Sequence, residues 1–359
     1  MSAISLCMIV RDEEDVLERC LSSVADLVDE IIIVDTGSQD RTREIARKFT
    51  DHVLEFPWVD DFAAARNFSF SQATCEYSMW LDADDVIDPP EREKFLALKE
   101  SLGPGVDVVM LPYYTGFDSQ GQVTFSYYRE RIVRTGAGML WKGAVHEVIE
   151  TRGGVVYGGC GVSHRKQKPS DPDRNLRIFE KMLAQGTQLD PRQQFYYGRE
   201  LYYHRRWQEA LKVLHRFLRQ GKGWVENNIE ACRQCACCWY ALGREERALG
   251  ALLSSFAYDC PRAEVCCDIG QHFFDRALWE QAAYWYERAL ACERRDGLGG
   301  FVQPEAYGFL PSIQLCVCYS RLGRQEEAER YNERAAVYQP DSPAVAYNRE
   351  YFASLRSKA

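Results

Sequence analysis

The hydrophobic pattern changes its period near the middle of the chain. Residues 4–10, ISLCMIV, form a short apolar run that ends in charge, as a strand buried on both faces does. In the following EEDVLERCLSSVADL (13–27), Val16, Leu17, Cys20, Leu21 and Val24 share one stripe and predict an amphipathic helix. EIIIVD (30–35) reads as a second strand, leading through the turn TGSQD into a helix from Thr42 to Phe49. HVLEF (52–56), a helix over AAARNFSFSQA (63–73) and YSMWLD (77–82) continue the alternation. Strands separated by helices predict a parallel sheet covered on its faces. After Pro89 the rhythm shifts to short strands and Gly-rich turns in VDVVMLP, SYYRERIVR, AVHEVIE, GVVYGG and GVSH. These predict a smaller mixed or antiparallel part.

From about residue 190 onward a helical pair repeats. Ala210, Ala248, Ala282 and Ala328 occupy equivalent positions in the second helix of each pair, spaced by 38, 34 and 46 residues. Twelve residues before each stands a small residue (Gly198, Ala236, Gly270, Cys316), and nine before each a large one (Leu201, Trp239, Phe273, Tyr319). Small against large at fixed offsets lets two antiparallel helices approach closely and interlock. The last interval is stretched by the loop RRDGLGGFVQP (294–304). The pattern resembles the tetratricopeptide repeat, with Pro340 closing the final unit and AVAYNREYFASL as a capping helix. The expected organisation is an α/β domain over 1–168, a linker helix over 169–191, repeats over 192–340 and a cap over 341–359.

A chain of 359 residues exceeds one core, in keeping with two domains. Its formal net charge of −9 argues against a nucleic-acid partner. No apolar run reaches the roughly 20 residues of a membrane span. The opening MSAISLCMIVRDEE lacks a basic leader and reads as a first strand, so a cytoplasmic location is expected. The 14 cysteines sit largely on apolar helical faces and read as reduced, small hydrophobes. Cys232, Cys235 and Cys238 have CxxC spacing but no second ligand pair nearby, which disfavours a metal site.

The chemistry centres on MWLDADDVID, where an apolar strand runs into Asp82, Asp84 and Asp85. On an extended segment Asp82 and Asp84 share one side and Asp85 takes the other. Carboxylates at the carboxyl end of a sheet strand, where ligands bind in open α/β sheets, suit a hard divalent cation bridging to phosphates. Helix capping is the plainer explanation, and it accounts for Asp88 before Pro89 and Pro90 but not for three acids. Asp35 ends the second strand before Gly37 and Ser38, where it could accept from a base or ribose; the plainer reading is an ordinary turn capped by Ser38 or Asp40. Arg66, in WVDDFAAARNFS, could clamp a diphosphate or pair with Asp61. Arg11 and Asp12 follow the first strand at the same edge.

The ordered set CMIVRDEE, VDTGSQDRT, FAAARN and WLDADD resembles glycosyltransferase family 2, strongly over residues 4–90 and weakly over 140–165. Within it the likeness is to bacterial members with C-terminal tetratricopeptide-like helices, including sublancin-type peptide S-glycosyltransferases. The resemblance implies a GT-A nucleotide-diphospho-sugar transferase fold, a UDP-sugar donor, Mn²⁺ or Mg²⁺, and inversion at the anomeric carbon. It implies that Asp35 holds uracil or ribose beside Val10 and Arg11, that Asp82 lies near ribose and metal, and that Asp84 ligates the metal. It makes Glu147 in WKGAVHEVIE the expected general base, with Trp141 available to stack on a sugar, and His164 a third metal ligand; His146 is a weaker substitute for either late role.

Other readings stay open. LDADDV also fits an aspartate-nucleophile phosphatase, although such a strand normally opens its fold. A calcium loop counted from Asp82 places Glu93 twelfth but Ile87 where Gly is required. The repeats could make a scaffold carrying an inactive enzyme, or hold a peptide or protein acceptor for transfer to Cys, Ser or Thr. An envelope polysaccharide or lipid-linked glycan is the alternative acceptor, and a homodimer through the repeats is compatible with the pattern.

Overall fold

The computed structural model describes residues 2–117, 121, 123–167, 171–295 and 300–356. The chain forms two compact units, 1–187 and 188–359.

In the first unit, β1 (Ile4–Val10) lies at the centre of the parallel part, with β2 (Glu30–Asp35) on one side and β4 (Tyr77–Trp80) on the other. β3 (Val53–Glu55) extends the parallel order beyond β2. Period-two alternation sends β1 into two cores. Ile4, Leu6, Met8 and Val10 pack with Leu17, Leu21 and Val24 of α1 (Leu17–Val24) and with Phe95 of α4 (Pro89–Ser101). Cys7 faces the other way, with Ile32, Val34 and the phenyl rings of Phe68 and Phe70 on α3 (Phe62–Ser71). The predicted stripe of α1 is buried in full. α2 is shorter than expected, Thr42–Ala46, and tight turns at Lys48 and Phe49 finish the segment.

The strands after Pro89 do not form a separate part. β7 (Val123–Arg134) pairs antiparallel with β4, and β6 (Val108–Phe117) pairs antiparallel with β7. β10 (Val155–Tyr157) and β11 (Val162–His164) add parallel to β6, so these strands continue one mixed sheet. The reason is apolar: Ile132 and Val133 of β7 are buried on opposite sides of that sheet. AVHEVIE contributes only β9 (Val148–Ile149), paired with β8 (Trp141–Lys142) in a separate ribbon. α5 (Arg174–Ala184) belongs to this unit, through Arg174 over the Phe62 ring at 4.7 Å and a Lys181–Asp60 ion pair. The expected boundary at 168/169 lies outside the described residues.

The second unit is a series of tetratricopeptide-like antiparallel pairs: α6 (Pro191–Tyr203) with α7 (Trp207–Gln220), α8 (Val225–Ala241) with α9 (Glu245–Ser254), α10 (Ala263–Phe274) with α11 (Trp279–Ala291), and α12 (Phe309–Arg321) with α13 (Gln325–Tyr338). α14 (Pro343–Arg356) follows and packs on α13. Ala210, Ala248, Ala282 and Ala328 are wholly buried. A Cβ on Gly198 would sit 2.6 Å from Leu214, which is why the small residue is needed. The long loop lies partly outside the described residues, but its segment 300–307 crosses the first helices of the pairs. There Phe301 packs on Phe195 and under Arg199, while the Gln303 amide and the Tyr307 hydroxyl donate to the two oxygens of buried Glu264. The cysteines among the described residues are free, and burial pushes the Cys232 and Cys238 thiols up to about 12, as expected of packing residues.

Candidate active site

The parallel strands bring their carboxyl ends to one edge, and the acids stand just past β4. The chain does not stay extended there. The Asp85 amide donates to the Asp82 carbonyl at 3.0 Å, closing a turn that breaks the expected alternation. β5 (Asp85–Val86) then pairs antiparallel with β11, with Asp85 opposite His164. The result groups Asp84 with Asp85 and His164, one ligand atom of each lying within 4.8 Å of the others; Asp82 is outside that group.

Asp82 is instead held by Arg66, whose Nη2 donates to its Oδ1 at 2.7 Å. The Nε of the same guanidinium donates to Glu147 Oε1 at 2.8 Å. Arg66 is buried between the rings of Trp80 and Trp141, at 4.9 and 4.8 Å from their centroids. Asp61, the alternative partner, caps α3 by accepting from the Ala64 amide. Burial works against ionised Asp82, but Arg66, and after it Arg131, outweigh that and hold its carboxyl at about 2. Arg66 therefore orients two acids from within the wall, a correction to its expected place as an open diphosphate clamp.

Asp85 is fully buried and its oxygens are engaged. Oδ2 accepts from Arg131 Nη1 at 2.9 Å and from the Asp82 amide at 3.0 Å, and Oδ1 accepts from the Tyr113 hydroxyl at 2.8 Å. Arg131 is itself wholly buried, between Trp80 at 3.8 Å and Tyr113 at 4.3 Å. Asp84 has a different fate. Its ion-pair neighbour is His164, with Nδ1 at 3.5 Å. Burial raises its carboxyl above the ordinary range, and Asp82 and Asp85 add to this while His164 opposes it. Hydrogen bonding to Asp85, with Asp84 close by, raises the imidazole in turn. Carboxylate oxygens and an imidazole beside an excess of negative charge fit a divalent cation.

Along the same edge, the buried Val10 carbonyl accepts from the Thr36 amide and hydroxyl at 2.9 and 3.1 Å. Asp35 is 2% exposed and caps its own turn, accepting from the Gly37 and Ser38 amides, with Arg43 Nε at 3.7 Å. Arg11 is exposed beside Asp12. Asp12 adopts a left-handed backbone (φ 54°) and accepts from the Gln39 amide, while its own amide donates to Ser38 Oγ, so the loops after β1 and β2 interlock.

Two further expectations are corrected. Trp141 is 2% exposed, packed edge-on against Trp80 and Phe70, and reciprocally bonded through its backbone to Asn67; it is a core residue, not a platform for a sugar. Asp88 stands at the N-cap of α4, yet its carboxylate accepts from Ser163 and Arg165 rather than from the helix. His146 immediately precedes Glu147 in a left-handed conformation (φ 53°). Arg131 and Tyr113 were not anticipated. The available signal was Arg131 directly before the buried pair Ile132 and Val133, because an arginine in a buried strand requires a buried acid.

A covered sheet with a carboxylate cluster after its fourth strand, joined to a helical repeat unit, is the architecture of a GT-A nucleotide-diphospho-sugar transferase domain with tetratricopeptide-like repeats. Residues 5–152 match the model of Glycosyl transferase family 2. Among curated proteins, the chain is 44% identical over 117 residues to a TPR repeat-containing protein of Synechococcus elongatus, covering 29% of each chain. It is 29% identical over 226 residues to the prophage-derived glycosyltransferase SunS of Bacillus subtilis, covering 58% of this chain and 51% of that one. It is 28% identical over 164 residues to the lipopolysaccharide core biosynthesis glycosyltransferase LpsC of Rhizobium meliloti, covering 43% and 58%. The chain thus spans between 29% and 58% of the lengths of these relatives. No helix among the described residues is long and apolar enough to cross a membrane.

Proposed function

We propose that this protein is an inverting, metal-dependent glycosyltransferase of the cytoplasm that moves a hexose or N-acetylhexosamine from a UDP-sugar to a Cys, Ser or Thr side chain of a peptide or protein. One observation carries the reading. Arg66 pairs with both Asp82 and Glu147 and Arg131 pairs with Asp85, whereas among the described residues the ion-pair partner of Asp84 is the His164 imidazole. A fold that pairs its other acids with arginine and this one with an imidazole favours a cation from outside at Asp84.

Asp84 and His164 would hold Mn²⁺ or Mg²⁺, with Asp82 alongside. Such a cation supplies charge neutralisation for a nucleoside diphosphate as it leaves. Val10, Arg11 and Asp35 form the part of the edge assigned to uridine. Glu147, oriented by Arg66, is the proposed base that takes the acceptor proton as the nucleophile attacks opposite the leaving group. A thiol acceptor that ionises unaided would depend on it less.

In the test, UDP and Mn²⁺ together raise the melting temperature, and UDP-sugars give a hexose-sized mass increase on peptides of a lysate. Asp84→Ala is expected to remove both effects; retained turnover would overturn the proposal. The likeness to LpsC favours a second acceptor class, an envelope or lipid-linked glycan, which the same incubation detects as label in the glycan fraction.

A further inference from the structure

Behind the acid cluster lies a hydrogen-bonded chain whose proton positions follow from elementary counting. Tyr113, on β6, is 6% exposed, and its hydroxyl oxygen is 2.8 Å from both Asp85 Oδ1 and His164 Nδ1. A phenol has one hydrogen to donate. The buried carboxylate is the stronger acceptor, so that hydrogen points to Asp85. Toward His164 the phenolic oxygen can then only accept, and an acceptor there requires a hydrogen on Nδ1. A second observation agrees. Nδ1 also stands 3.5 Å from Asp84 Oδ1 and 3.5 Å from Asp85 Oδ1, where a bare lone pair would be repelled and an N–H attracted.

The other end of the chain is anchored. Arg131 holds Asp85 Oδ2, and its guanidinium lies over the Tyr113 ring, so the tyrosine cannot swing from the carboxylate without disturbing a wholly buried ion pair. We propose that Tyr113 is a positioning residue that fixes His164 as its Nδ1–H tautomer, so that Nε2 is the nitrogen through which the ring can ligate a cation. Asp85, its oxygens spent on Arg131, Tyr113 and the Asp82 amide, supports the site from behind. In that tautomer Nε2 carries the imidazole lone pair that a cation could use. The tautomer assignment stands on hydrogen-bond geometry alone, and only its use by a cation rests on the glycosyltransferase reading.

Nitrogen NMR of metal-free protein carrying ¹⁵N-histidine, at a pH where imidazole is neutral, reports which ring nitrogen bears the hydrogen, and H164Q assigns the signal. The expected result is Nδ1–H in the wild type and, in Y113F, a shift toward the Nε2–H form. An Nε2–H wild type, or an unchanged Y113F spectrum, overturns the proposal; should Y113F not fold, the wild-type spectrum decides. Manganese binding, followed by the paramagnetic signal of the free ion, is expected to weaken about 10- to 100-fold in Y113F. Unchanged affinity beside a changed tautomer would remove Nε2 as a ligand. A wild type that shows Nδ1–H and binds no manganese would sink the metal reading and leave the tautomer in place.

Discussion

The sheet edge and the repeat face both bury charged side chains and treat them differently. On the repeats, Arg233 is paired with Asp268 and Glu230, Arg262 with Glu226 and Asp259, and Glu264 is satisfied by an amide and a hydroxyl of segment 300–307. On the sheet edge, Arg66 spans Asp82 and Glu147 and Arg131 holds Asp85, while Asp84 keeps a carboxyl pushed above its ordinary value. Balanced charge is architecture. Charge left in excess is a strain on the fold, and perturbed groups of that kind cluster at functional sites.

Replacing Arg66 by alanine should break this contrast most severely. Asp82 and Glu147 would face each other without their shared cation, at an expected cost of about 3–5 kcal/mol in denaturant unfolding. Because Asp82 is held at about 2, its share of stability is present above the ordinary carboxylate range and is lost only as pH falls through about 2. In Arg66→Ala the acid transition should therefore begin at higher pH.

The repeats should respond to shape before charge. Gly198→Val drives a side chain into Leu214 and is expected to cost about 1–3 kcal/mol, read as a lower melting temperature. A neutral result would mean that α6 and α7 are not held at the close approach described above.

The smallest effect has the opposite sign. The raised Asp84 carboxyl means that its ionised form disfavours the native state. Asp84→Asn in metal-free protein should therefore stabilise at pH 8, by about 0.5–2 kcal/mol. The gain should vanish as pH falls below the ordinary carboxylate range, where the acid is neutral in folded and unfolded chains alike. Destabilisation at pH 8 would show that Asp84 serves the architecture after all.

The difference between the regions also governs what the sequence made legible. Period and residue size carry the helical pairs, and small residues at fixed offsets marked where helices touch: Gly198, Ala236 and Ala210 are buried as the pattern requires. The same logic found the α1 stripe. It failed at LDADD because a two-residue alternation holds only while the chain is extended, and a single hydrogen bond from the Asp85 amide to the Asp82 carbonyl turns the acids. Arg66 was recognised as special, but its partners come from β9's approach and from the turn, contacts made over 81 and 16 residues of chain. Trp141 reads as a ring available to stack on a sugar because nothing local says that Arg66 and Trp80 will enclose it. Polar partnerships across a sheet depend on register, and register is not written in any one segment.

Segment 300–307 bears on how the repeats meet anything else. A stretch tethered beside the helices it covers stays there at an effective concentration of about millimolar. Phe301 and Tyr307 thus make the protein its own resident guest on α6 and α10. That part of the helical surface is thereby covered by the protein's own chain.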